Sequence, residues 1–257
     1  MLTFDITKEF IGALFGWIGN IFSVVFFSAP IFSIIDLVRG KISYTAIPAL
    51  LYIFSILNCL LWTSYGILRS APQMYVCNTI GASITFIWIV IYLIYCVQKK
   101  PLYFIGALFI VVDLMFQIVF FSFYIGQRNE TLKKMISYIA MVINIAMYAA
   151  PGEKMYTVYK TNNYQLLPVA SSIAGFFCSM SWLIYGIIES EIGVIVPNAM
   201  GMLFAIMQLI VYGIAYTNYK KDGIIESEET KGPKVEPISR ESEHSKPLFE
   251  GQEEGKA

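Results

Sequence analysis

The chain has 257 residues, 57% of them hydrophobic and 14% charged, with a formal net charge of zero, and its mean hydropathy is +0.63. A soluble domain is about half apolar and about a quarter charged, so a water-soluble globule is excluded. The zero net charge sums two dissimilar parts. A large share of the 18 basic and 18 acidic residues lies after residue 219, which leaves the first 219 residues greasier than the average.

Seven apolar runs separated by short polar clusters are predicted as transmembrane helices, roughly 10–35, 46–68, 75–97, 102–126, 135–158, 166–188 and 193–217. About 20 residues of helix cross the hydrocarbon, and helix is required because backbone groups find no water there. Residues 1–9 precede the first run. They lack a basic stretch, and the run is too long for a cleavable signal. Many of the 17 tyrosines fall near run ends, as an interfacial belt requires. Cys59, Cys77, Cys96 and Cys178 lie inside apolar runs without metal-ligand spacing, so they read as small buried residues. No metal site and no cofactor is expected.

Loop charges orient the chain. Arg39, Lys41, Lys99, Lys100, Lys154, Lys160, Lys220 and Lys221 fall on one side, and Lys8, Arg69, Arg128, Lys133 and Lys134 on the other. The positive-inside rule places the first set in the cytosol, the N-terminus outside and the C-terminus inside. Asn129-Glu130-Thr131 is the single N-x-S/T sequon and lies on the outer side, so Asn129 is a candidate glycosylation site. Residues 218–257 are expected to form a disordered cytosolic tail. It holds His244, the sole histidine, which reads as a solvated residue.

The chain repeats itself. Trp62, Tyr65, Gly66, Asn78 and Gly81 recur as Trp182, Tyr185, Gly186, Asn198 and Gly201. Pro48 recurs as Pro168, and Ala29-Pro30 as Ala150-Pro151 with one residue of slippage. An internal duplication accounts for this. Residues 10–97 form one three-helix bundle and 135–217 the second, with 98–134 supplying a linker helix and an outer loop. Three helices would invert a direct tandem. One extra crossing makes the two units parallel about an axis along the membrane normal. The expected fold is therefore an all-α membrane protein of 3+1+3 helices with a path on the axis.

Pro30, Pro48, Pro151 and Pro168 then lie toward the cytosolic ends of two helices in each unit. Proline removes a hydrogen bond and bends a helix, so the four are candidate hinges of an inner gate. The plainer account is that proline is common in transmembrane helices. Asn78 and Asn198 must find polar partners. Facing each other across the axis they offer donors and acceptors to a polyhydroxylated ligand, and Trp62 and Trp182 add apolar faces for its C–H surfaces. Interhelical hydrogen bonding is the alternative role for such amides. Asp113 in the fourth run has no counterpart in the other repeat. It reads as a structural group, with proton coupling as the minority reading. No hydrolase, kinase or metalloprotease signature is present, so no catalytic residue and no enzyme activity is expected.

These residues resemble the SWEET (MtN3/saliva) sugar transporters. The matching motifs are Gly19-Asn20, Ala29-Pro30, Ile47-Pro48, NCLLWTSYG at 58–66 and NTIG at 78–81. In the second half they are MYAAP at 147–151, LLPV at 166–169, SWLIYG at 181–186 and PNAMG at 197–201. The resemblance covers about residues 10–217 and implies alternating-access, facilitative uniport of mono- or small saccharides without proton coupling. It adds Ser23, Phe26, Asn58, Asn144, Met147 and Cys178 to the sugar pocket and makes Tyr65 and Glu191 an outer gate. Phe26 and Met147 are bulky, which by the family's logic favours hexose over sucrose. Pro151-Gly152 stands where Pro-Leu is usual, and Asp113 lies outside the family pattern.

The expected partners are a small sugar and the lipid bilayer, with room for a homo-oligomer and no nucleic acid. The expected location is the plasma membrane, with an endomembrane as the alternative. Two other functions stay open at this point. A seven-helix receptor would share the topology but would not predict the duplication. A proton-coupled PQ-loop-type carrier would need Pro-Gln pairs, and Pro72-Gln73 stands in a predicted outer loop.

Overall fold

The structure is a computed structural model that describes residues 2–47, 49–96, 107–108, 111–112, 114–116, 118–119, 121 and 129–221. Pro48, Asp113, Arg128 and the tail after residue 221 lie outside the described residues. The helices are α1 (Leu2–Ser28), α2 (Ile31–Val38), α3 (Ala49–Leu68), α4 (Pro72–Tyr95), α5 (Glu130–Met147), α6 (Ala149–Thr161), α7 (Val169–Glu189) and α8 (Ile192–Lys221). Every described residue between 107 and 121 is also helical. No strand occurs among the described residues.

Among the described residues six spans are long and apolar enough to cross a membrane, and in two of them a pair of helices runs end to end. α1 and α2 make one such span, broken at Ala29-Pro30. Pro30 has no N–H for the Phe26 carbonyl, which accepts from Ala29 N–H at 3.2 Å instead. The Phe27 carbonyl at the break accepts from the Trp88 indole at 3.0 Å. α5 and α6 make the other, with the break at Tyr148, three residues before Pro151. Six of the seven predicted runs are met with shifted ends, and the fourth, 102–126, falls largely outside the described residues. α1 starts at Leu2, well ahead of the apolar run. Pro72 takes the first turn of α4, so Pro72-Gln73 opens a helix instead of lying in a loop.

Packing repeats as the sequence does. α3 lies on α4 as α7 lies on α8, and α1 lies on α4 as α5 lies on α8. Between the units α1 packs on α7 and α5 on α3. Exchanging the units exchanges these two contacts, which is what a twofold relation requires. Leu108 of the linker packs in the first unit with Ile34, Tyr52 and Ile89.

The repeated glycines are explained by close approach. A Cβ on Gly66 would stand 2.8 Å from the Tyr75 backbone nitrogen, and one on Gly186 would stand 3.1 Å from that of Ile195. A Cβ on Gly81 would stand 2.5 Å from the Phe27 ring, and one on Gly201 would collide with Tyr148. In lipid, helices associate through such packing because the tails are as apolar as the side chains. Two buried hydroxyls are satisfied within their own helix, Ser64 by Leu60 O at 2.8 Å and Ser181 by Phe177 O at 2.7 Å. Large apolar residues such as Ile21, Phe32, Ile94 and Val142 are exposed on the outside, the surface a bilayer covers.

Candidate functional site

Between the two units lies a cavity of about 440 Å³, within the range of about 300–1,000 Å³ common for small-molecule sites. All ten predicted pocket residues border it, five from each unit: Ser23, Phe26, Asn58, Trp62 and Asn78, then Asn144, Met147, Cys178, Trp182 and Asn198. Pro30, Pro151 and Pro168 border it as well. The fourth proline, Pro48, lies outside the described residues, although its neighbour Ile47 borders the cavity.

Helix geometry places each group. Trp62 and Trp182 are buried, and each meets the tyrosine three residues on in an edge-to-face contact, at 5.7 Å for Tyr65 and 5.3 Å for Tyr185. The Trp182 indole donates to Ser23 Oγ at 3.1 Å, and Ser23 Oγ lies 3.2 Å from Cys178 Sγ. Those contacts tie the first unit to the second. The two asparagines do not bond each other. Asn78 Nδ2 donates to Met74 O at 2.9 Å and Asn198 Nδ2 to Val194 O at 2.8 Å. Each carboxamide is thereby held by its own helix, and among the described residues its remaining hydrogen-bonding capacity is not used between helices. Asn58 Oδ1 is buried without a partner among the described residues. The four cysteines are free thiols, as expected.

One end of the cavity is sealed. Tyr65 Oη donates to Glu191 Oε2 at 2.5 Å, and Arg69 pairs with the other oxygen of the same carboxylate. The Glu191 side chain is 15% exposed and that of Arg69 36%. A second cavity of only about 40 Å³ lies here, beside Tyr185 and Glu189. Ser70 and Ser190, at matching places in the two turns, both take left-handed backbone, φ 54° and 58°. At the other end the cavity reaches the prolines and the exposed Ser33 and Lys154.

Sequence reasoning missed several groups. Arg69, a loop charge in the sequence, pairs with Glu191. Trp88 and Gln208 occupy matching positions and both border the cavity, and Ser172 Oγ holds Gln208 Oε1 at 3.0 Å. Pro197 interrupts the hydrogen bonding of α8, where the first unit has Cys77, and its carbonyl accepts from Tyr148 Oη at 2.9 Å. The 120-residue offset signals the Trp88/Gln208 pair, and it also aligns Arg69 with Glu189. Asn129 is exposed and caps α5, accepting from Leu132 N–H at 3.1 Å.

Two like bundles around a central cavity, stopped at one end and open at the other, have the architecture of a multi-pass membrane carrier. The chain matches the MtN3/saliva family, described as sugar efflux transporters for intercellular exchange, over residues 13–100 and 134–221. It is 31% identical over 227 residues to the bidirectional sugar transporter SWEET1a of Sorghum bicolor, covering 86% of this chain and 78% of that one. It is 30% identical over 242 residues to the bidirectional sugar transporter SWEET17 of Arabidopsis thaliana, covering 87% and 96%. The structure of a eukaryotic SWEET transporter matches it with a TM-score of 0.74 at 25% identity, covering 82% of this chain and 99% of that one. The chain belongs to the SWEET family of membrane transporters.

Proposed function

We propose that this chain is a facilitative sugar transporter that moves mono- or small saccharides, with hexose preferred, by alternating access. One observation carries the reading. The two repeats bring a tryptophan pair and an asparagine pair into one cavity that is shut at the Tyr65 end. Aromatic faces suit the C–H surfaces of a sugar, and carboxamides held by their own helices have capacity left for hydroxyls. The bordering residues described include no carboxylate and no histidine, which fits uniport better than proton coupling.

The loop charges put the proline end in the cytosol, so the conformation is inward-facing, with Tyr65, Arg69 and Glu191 as the closed outer gate. The breaks at Pro30 and near Pro151 are the hinges about which the cytosolic halves swing. By the same orientation Asn129 is outside, available for glycosylation, and the plasma membrane is the expected location. Counterflow of labelled hexose in proteoliposomes, with and without a pH gradient, tests the reading. Equilibration that ignores the gradient supports it. No counterflow, or uptake driven by the gradient, overturns it.

A further inference from the structure

Asn20 is 7% exposed, and neither its Oδ1 nor its Nδ2 has a hydrogen-bond partner among the described residues. A buried carboxamide forfeits its solvation when nothing replaces the bonds to water, so such groups are rare and call for a reason. Helix glue is not the reason, because glue has a partner.

Its place in the fold suggests one. On α1, residues 16, 20 and 23 share a face. Gly16 lies against Gln73 of α4 and Tyr185 of α7, and Gly19 lies against Trp182. Ser23 bonds Trp182 and borders the large cavity. Asn20 therefore sits at the tryptophan level, flanked by Gly19 and Ser23 on Trp182 and one turn from Gly16 at the tyrosine level of the sealed end, and it borders neither cavity. α7 carries Tyr185 beside the sealed end and leads into Glu191 of the seal, so the α1–α7 face near Asn20 adjoins the way out at the Tyr65 end.

We infer that Asn20 is a sugar-contacting residue of the outer half of the path, unpartnered while that half is closed and hydrogen-bonded to a sugar hydroxyl when it opens. This rests on the sugar-transport reading above. The unpaired amide also makes the closed state less favourable than an apolar residue would, so opening toward the Tyr65 end relieves a desolvated group. Arg69 and Glu191 hold the end shut, and Asn20 works against them.

The test is counterflow of glucose and of each monodeoxyglucose by the full chain in proteoliposomes, comparing wild type with Asn20→Leu, Asn20→Ala and Asn20→Ser. Wild type should discriminate against at least one deoxy sugar by roughly three- to tenfold, the worth of one hydrogen bond. Asn20→Leu should slow glucose by a similar factor, erase that discrimination, and leave thermal stability unchanged or raised. Asn20→Ala should erase the discrimination too, which keeps the test sound if the leucine variant misfolds. Asn20→Ser should retain part of it. Wild-type transport by Asn20→Leu overturns the inference, as does a uniform slowing of all sugars with the discrimination intact. Failure of the wild type to exchange any sugar overturns the transport reading itself, a result distinct from both.

Discussion

Tyr65 of the first repeat donates its phenolic proton to Glu191 of the second at 2.5 Å, while Arg69 holds the other oxygen of that carboxylate. The carboxylate thus joins two groups of one unit to the loop of the other. A charge-assisted hydrogen bond contributes about 1.5–3 kcal/mol, which shifts an equilibrium roughly 10- to 100-fold. Glu191→Ala should therefore release the sealed end. In a background with Cys59, Cys77 and Cys96 replaced by Ala, a membrane-impermeant maleimide should reach Cys178 from the proline side in the parent. With Glu191→Ala it should reach Cys178 from both sides. Labelling from the proline side alone in the variant would show that the seal lies elsewhere.

Asn78 and Asn198 each anchor one amide hydrogen on their own helix, so replacing either removes ligand capacity without breaking a contact between helices. Asn78→Ala and Asn198→Ala should each lower hexose counterflow by roughly tenfold, one hydrogen-bonding group apiece. The double variant should lie near background. Thermal stability of the purified protein should stay close to wild type. Undiminished uptake by the double variant would remove both residues from the sugar site.

The repeat explains why so much of the site was legible. Equivalent side chains of two parallel units are carried to a common axis, so an echoed tryptophan or asparagine is already a statement about position. Groups that work across the symmetry lack that signal. Arg69 aligns with Glu189 and bonds Glu191, which aligns with Ala71, so no echo connects the partners. Asn20 stood in the Gly19-Asn20 motif, but its lack of a partner is a property of packing that no periodicity carries. Helix ends were displaced for another reason. Hydropathy falls at the first charged residues, such as Lys8 and Glu9, whereas α1 continues to Leu2 because a helix can extend beyond the hydrocarbon into the interface.

Gly81 passes so close to Phe27 that a methyl group has no room. Overpacking of this kind destabilises by about 1–3 kcal/mol, so Gly81→Ala should lower the apparent Tm of the purified protein by roughly 3–10 °C. Shrinking the ring should relieve it, and Gly81→Ala combined with Phe27→Leu should recover at least half of the loss. Gly201→Ala should behave alike through Tyr148, whose hydroxyl would also be driven off Pro197 O. Full stability in Gly81→Ala would mean that the two helices separate there without penalty.

Phe26 and Met147 occupy matching positions in the first helix of each unit, and both border the cavity. Phe26 also lies near Gly175, where a Cβ would stand 3.4 Å from its ring, so it reaches from the first unit to the wall of the second. Two bulky side chains narrow a space of about 440 Å³ from both sides. If size sets the hexose preference, Phe26→Val with Met147→Val should admit a disaccharide, with sucrose counterflow rising at least tenfold over wild type. Hexose counterflow should persist but weaken a few-fold, since a wider pocket loses contacts to a small ligand. Sucrose exclusion that survives both substitutions, with hexose transport intact, would move the selectivity from these two side chains to Asn58, Cys178 and Asn144, where the repeats also differ and where the difference is in hydrogen bonding instead of volume.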